Sequence, residues 1–371
     1  MRYLTKSRFK LGLECPFKLT EDFQEDQEKN DFLSALADGG FQAEELARLH
    51  YETGILIEDK DYSVSVKKTN EELSKDSCVI YEAAFLHKKL FVRTDILIKS
   101  GKYLKIIEVK AKSFNSENKN TFTSKNGQIK SVWKPYLFDL AFQKFVVEKC
   151  FPQYKIEAFL MLADKSKKAS INGLNQLFQI CDNNSRTAIK VKVNSIEEIG
   201  NSIMQELDVT HLINNIINDN FHLVHEMSFN ELVSNFTNLY VHKKNINWKD
   251  YNGYVCKDCW KNQFNISEND SLRPNLYELW QFRKQKELFN DNIFFLDQLK
   301  SSEFEESKNG PLSVKARQWI QIQKRVKQSQ GEKVEPFLDV KNLKLEIESW
   351  KFPLHFIDFE TCTSALPFTK G

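Results

Sequence analysis

Residues 90–112 read LFVRTDILIKSGKYLKIIEVKAK, two runs of alternating apolar and polar residues around Ser100-Gly101. Alternation with a Gly-containing break predicts a β-hairpin over Leu90–Lys110. If Ser100 and Gly101 form the turn, Lys99 faces Lys102 and Asp95 faces Ile106. Side chains on a strand alternate between faces, so Ile106, Glu108, Lys110 and Asp95 then share one face. A three-residue turn would break that convergence.

Two carboxylates and an ammonium at one end of a hairpin have a clear chemical use. Carboxylates hold Mg²⁺ or Mn²⁺, hard cations that prefer oxygen ligands. Such an ion acidifies water and stabilises charge on a phosphoryl oxygen, while a nearby ammonium orients the attacking water or steadies developing charge. The competing reading is an exposed polar face laced by cross-strand salt bridges. Ile106 and Ile107 before Glu108 favour the site, because they predict a strand buried on both faces, where a charge without a purpose is costly. A helix predicted from about Pro135 to Cys150 adds Asp139 and Gln143, four residues apart and so on one face.

Working outward, the first forty residues read as helical, with an acidic exposed stretch at Glu21–Asp31. Gly39-Gly40 is expected to open a second helix, FQAEELARLHYETG, that stops at Gly54. Strands are expected at Cys78–Phe85 and Ile156–Leu162 besides the hairpin, and a loop at Phe114–Gly127. Strands mixed with helices indicate an α/β region ending near residue 200. Residues 200–345 read as mainly helical, with long charged patterns such as LYELWQFRKQKELF. PLHFIDFET, residues 353–361, reads as a buried strand with Asp358 and Glu360 on one side.

The 371 residues suffice for two or three domains, and 41% hydrophobic with 28% charged residues describes an ordinary globular protein. The net charge of +2 neither demands nor excludes nucleic acid, so any basic binding surface is local. Lys-rich stretches at Lys99–Lys112, Lys125–Lys134 and Lys165–Lys168 read singly as solvated faces. No apolar run approaches the roughly 20 residues that span a bilayer, and the basic N-terminus is too often interrupted by charge to be a signal peptide. The expectation is a cytoplasmic protein with no membrane partner. Seven scattered cysteines do not form a secreted disulfide framework; a Cys256-Lys-Asp-Cys259 pair has the spacing of a metal knuckle.

An Asp on one strand, Glu-Val-Lys on the next and a helical Gln resemble the PD-(D/E)XK nucleases of the RecB type, which include CRISPR-associated nucleases. The ordered motifs LTKSRFKLGLECP, GGFQAEELARLHYETGILI, IYEAAF and FIDFETCTSALP extend the resemblance to the bacterial family called domain of unknown function 2779. It implies that Asp95 and Glu108 bind metal, that Lys110 is catalytic and that Gln143 is an accessory residue. Relatives carry a Tyr four residues after the Gln, where this chain has Val147. Relatives also supply an acidic or His residue from an early helix; Glu44 is the candidate and Glu82 its competitor.

The implied architecture is a restriction-endonuclease-like PD-(D/E)XK core over residues 1–200, a helical return with the Cys pair at 201–265 and a helical linker region at 266–345. The first strand of an RNase H-like, DnaQ-type exonuclease module follows at 346–371. Asp358-x-Glu360 matches that module's first metal motif, and its further acidic motifs are not in the chain, so a fragment or a lost second nuclease is expected. RecB-type relatives hold an iron–sulfur cluster with one Cys before the core and three after it. Cys15, Cys256 and Cys259 match three positions, and Asp250 stands near the place of the fourth. A 4Fe-4S cluster, a zinc ion and an empty site all stay open. The function expected is a Mg²⁺- or Mn²⁺-dependent nuclease acting on DNA. The alternatives are a catalytically impaired nucleic-acid-binding module of the same fold and, more remotely, a scaffold whose charged helices at 270–345 engage a protein partner the sequence does not identify.

Overall fold

Seven strands of the N-terminal region join in one mixed sheet whose order is set by the hairpin predicted above. The computed structural model describes residues 2–20, 31–118, 120–183, 186–218, 224–247, 251, 256–304, 312–359 and 364–371. The chain divides into two compact units, Met1–Ile246 with Cys362–Gly371, and Asn247–Thr361.

The first unit runs β1 (Leu4–Thr5), α1 (Lys6–Glu14), α2 (Asp31–Arg48), β2 (Ile55–Leu56), α3 (Tyr62–Leu73), β3 (Ser77–His87), β4 (Leu90–Ser100) and β5 (Tyr103–Phe114). It continues with α4 (Lys134–Cys150), β6 (Lys155–Asp164), β7 (Phe178–Asn183), β8 (Arg186–Val191), β9 (Met204–Asp208), α5 (Thr210–Ile217) and α6 (Phe229–Tyr240). The sheet order is β2-β3-β4-β5-β6-β9, with β1 added against β4, while β7 and β8 form a separate hairpin. Strands β5 and β6 are parallel and α4 connects them, as a parallel crossover requires. The unit is therefore mixed α/β, and its sheet takes its last strand beyond residue 200.

The central strands are covered on both faces. Ile96, Ile107, Val109 and Met161 pack with Leu46 and Ala47 of α2, whereas Leu97 and Ile106, of opposite parity, are fully buried toward the α4 side. There Phe9 of α1 stacks on Phe142 of α4 with ring centroids 4.5 Å apart and meets Phe236 of α6 at 5.6 Å. Gly12 makes this close approach possible, since a Cβ there would lie 2.7 Å from Leu19 and Phe236.

Two expectations within this unit change. Ser100 pairs with Tyr103 and Ile96 with Ile107, so the turn is Gly101-Lys102 rather than Ser100-Gly101. Gly101 has φ of 56° and occupies the first turn position, where a two-residue hairpin favours glycine. The same register sets Asp95 opposite Glu108 instead of Ile106; the loop still has two residues, so the face is unchanged. The second helix does not open at Gly39-Gly40 but runs through it. Gly39 is there because a Cβ would come within 2.9 Å of the Ala365 Cβ.

The second unit holds α7 (Trp260–Gln263), α8 (Glu268–Ser271), α9 (Gln285–Asn290), α10 (Val314–Ser329) and α11 (Val340–Ser349). Its core gathers Leu276, Leu279, Phe289, Phe295 and Ile322 around Trp260. The pattern LYELWQFRKQKELF is not one helix: it breaks into a 3₁₀ turn at Leu276–Glu278 and α9, with Gln281 between them at φ of 51°. Leu279 and Phe289, on either side of this break, are both buried. Residues 353–359 form no strand, and Phe356, Ile357 and Phe359 are 88%, 72% and 81% exposed. Without a neighbouring strand to take its N–H and C=O groups, an apolar run stays irregular. Thus the expected first strand of an RNase H-like module is absent among the described residues. No helix among them is long and apolar enough to cross a membrane.

Candidate active site

The site lies where β4 and β5 part. Their ladder ends at Ile96–Ile107, after which β5 pairs only with β6, through Glu108–Leu160 and Lys110–Leu162. Farther back on β4, Leu90 and Phe91 pair with Leu4 and Thr5 of β1, on the edge that β5 has left. The chain then turns into α1, whose N-cap is Thr5, its hydroxyl accepting from the Arg8 N–H. The first residue of that helix, Lys6, enters the gap between the parted strands.

There Asp95, Glu108, Lys110 and Gln143 come together. Asp95 Oδ2 accepts the Val109 N–H at 2.8 Å, which fixes its carboxylate against β5. Lys6 Nζ donates to Asp95 Oδ1 at 3.2 Å and to Glu108 Oε1 and Oε2 at 3.1 and 3.2 Å. The Lys110 ammonium pairs with Glu108 Oε1. Gln143 Nε2 donates to Glu108 Oε2 at 2.8 Å and reaches Asp139 Oδ1 at 3.4 Å, so residues four apart on α4 share one face. Asp139 Oδ2 faces Lys10 Nζ at 3.9 Å. Glu108, Asp139 and Gln143 are wholly buried and Asp95 is 8% exposed.

Burial and mutual repulsion govern the charges. Burial, then the neighbouring Glu108, raises the Asp95 carboxyl above its usual range. Burial and Glu108 push Asp139 up to about 7. Burial acts on Glu108 in the same sense, yet the Lys110 and Lys6 ammonium groups together hold it well below the carboxylate range. Both lysines resist the pull of burial because the carboxylates beside them raise their affinity for the proton.

Glu44 and Glu82 stand on the other side of Asp95. They line a cleft of about 1040 Å³ with Phe41, Arg48, Lys60 and Arg93. Glu44 is pushed up to about 8 by burial and by the charges of Asp95 and Glu82. Tyr81 pairs with Ile96 and Ala83 with Thr94, which sets Glu82 opposite Asp95. Glu82 has φ of 57°, a left-handed conformation unusual inside a strand. Both early-element candidates therefore adjoin the centre.

The donor set suits a divalent cation. Asp95 Oδ1 and both Glu108 oxygens converge on one point, which the Lys6 ammonium fills. Two further buried atoms beside it, Asp139 Oδ2 and Gln143 Oε1, have no hydrogen-bond partner among the described residues. A cation with several oxygen ligands matches that surplus of acceptors.

Cys15 is buried in the first unit, and Cys256 and Cys259, three residues apart ahead of Trp260, are buried in the second. Asp250 and Glu360 lie outside the described residues. Asp358 is exposed, its Oδ1 accepting its own neighbour's N–H from Phe359, and it joins no other described acid.

Lys6 is a member of the Asp95–Glu108 cluster that the sequence reading missed. One signal was present: an ammonium at the first residue of a helix opposes the helix dipole, so its placement there calls for a compensating anion. The chain matches no protein-family model and no curated protein.

Proposed function

We propose that the chain is a divalent-metal-dependent nuclease acting on DNA, with a PD-(D/E)XK-type core resembling the RecB-like modules of the domain of unknown function 2779 family. One observation carries this reading: Asp95, Glu108, Lys110 and Gln143 meet around one buried point at the parting of two antiparallel strands. Asp95 and Glu108 would hold Mg²⁺ or Mn²⁺, with Glu44 or Glu82 on the cleft side. The bound ion supplies acidified water and positive charge for a phosphoryl oxygen.

The protein's own groups supply the rest. Val109 N–H and Gln143 orient the two carboxylates, so neither must reorganise when substrate arrives. Lys110, 20% exposed at its side chain, presents a cation next to Glu108 to orient water or steady an oxyanion. The DNA substrate rests on the family resemblance and on the phosphodiester chemistry such a group suits.

The second reading, a binding module without activity, draws on Val147, which is buried where relatives have a Tyr. Labelled single- and double-stranded DNA incubated with Mn²⁺ separates the two. Cleavage by wild type and its loss in Lys110→Ala are expected. Equal cleavage by both would overturn the assignment, and salt-sensitive binding without cleavage under any divalent metal would select the second reading.

For Cys15, Cys256 and Cys259, which the family resemblance groups as ligands, we propose a thiophilic metal, either zinc completed by a fourth ligand or an iron–sulfur cluster, since both take thiolates.

A further inference from the structure

We propose that the Lys6 ammonium is a built-in occupant of the cation position between Asp95 and Glu108, and that a divalent ion binds by displacing it. This rests on the metal-site reading above and adds its regulation.

The geometry leaves room for one cation. Lys6 Nζ lies 3.2 Å from Asp95 Oδ1 and 3.1 and 3.2 Å from the two Glu108 oxygens, the same oxygens that would ligate an ion. Metal–carboxylate contacts are about 2.1 Å for Mg²⁺, so an ion held by these oxygens would occupy the ammonium's volume. The occupant is also free to leave. The Lys6 side chain is 24% exposed, so a path to solvent exists. Its stem is flexible, and a rotamer change moves the charge outward without breaking α1 or the short β1 ladder.

The centre behaves differently with and without this group. In its presence, Lys6 and Lys110 offset Asp95 and Glu108, with Asp139, Lys10, Glu44 and Glu82 around them. Once Lys6 withdraws, Lys110 alone stands directly against the two carboxylates, a deficit of one positive charge that the two charges of a divalent ion more than offset. A lysine serving only as a structural ion pair predicts the opposite result on neutralisation: looser carboxylates and weaker or unchanged metal binding. Displacement predicts tighter binding, because the ion no longer competes with a tethered cation.

The test measures Mn²⁺ binding to the full chain by titration calorimetry for wild type, Lys6→Met, Lys6→Arg and Asp95→Asn. Lys6→Met should bind about tenfold more tightly or better, equivalent to about 1.4 kcal/mol; Lys6→Arg, which keeps the charge, should bind no more tightly than wild type. In parallel, amine acylation of wild type read by mass spectrometry should show Lys6 protected in EDTA and labelled once Mn²⁺ is added; this decides the matter if Lys6→Met does not fold. Suppose wild type binds Mn²⁺ at a site lost in Asp95→Asn. Equal or weaker binding by Lys6→Met, or unchanged Lys6 labelling, then overturns the displacement while the metal site stands. No Mn²⁺ bound by wild type or Lys6→Met overturns both.

Discussion

Asp139→Asn removes a charge that the fold holds at a loss. The carboxyl is wholly buried, its Oδ2 has no hydrogen-bond partner among the described residues, and Lys10 faces it at 3.9 Å, while the Lys6 and Lys110 charges offset its burial only in part. Burial and Glu108 raise it from 3.8 to about 7. Between those values the native state keeps a proton that the unfolded chain has released, so stability falls as pH rises from about 4 to 7 and levels off above. At about 1.4 kcal/mol per pH unit the full span is roughly 4 kcal/mol. The weak Lys10 contact is lost in the variant, which leaves an expected gain of about 2 kcal/mol or more at pH 8. Urea denaturation in EDTA, followed by circular dichroism from pH 5 to 8, measures both quantities. Asparagine should raise the midpoint above neutral pH and flatten the pH slope. A variant no more stable than wild type at pH 8, or one with an unchanged slope, would refute the view that Asp139 is an incompletely compensated charge.

The two glycines inside α2 should respond with opposite signs. Gly40→Ala meets nothing within 4 Å and should stabilise by about 1 kcal/mol through helix propensity, whereas Gly39→Ala presses on Ala365 and should destabilise by about 1 kcal/mol net; thermal melting of the pair checks this. For the cysteine group, Cys15→Ala should lower the iron or zinc content of anaerobically purified protein. Brown, iron-containing wild type selects the cluster, colourless protein with one zinc selects zinc, and equal metal content in variant and wild type would remove Cys15 from the site.

Local pattern carried much of this protein. Alternation placed β4 and β5, and its parity put Asp95, Glu108 and Lys110 on one face even though the pairing partner of Asp95 was wrong. Parity survives because moving a two-residue turn by one position shifts the partner by two, and two is the period of a strand. Helical spacing likewise aligned Asp139 with Gln143, since both contacts lie within one turn of one element.

Other features were set by partners distant in sequence. Lys6 meets Asp95 across 89 residues, because β1 pairs on the strand edge that β5 abandons, and no local rule states where two strands part. Gly39 inside helix α2 leaves the space that Ala365, distant in sequence, takes up. Residues 353–359 have the composition of a strand but no described neighbour to complete one. The sequence by itself determined the elements whose periodicity is internal, and with them Asp95, Glu108, Lys110 and Gln143. Tertiary structure alone decided which cation stands between the carboxylates, because that depends on which backbone fills the gap beside β4.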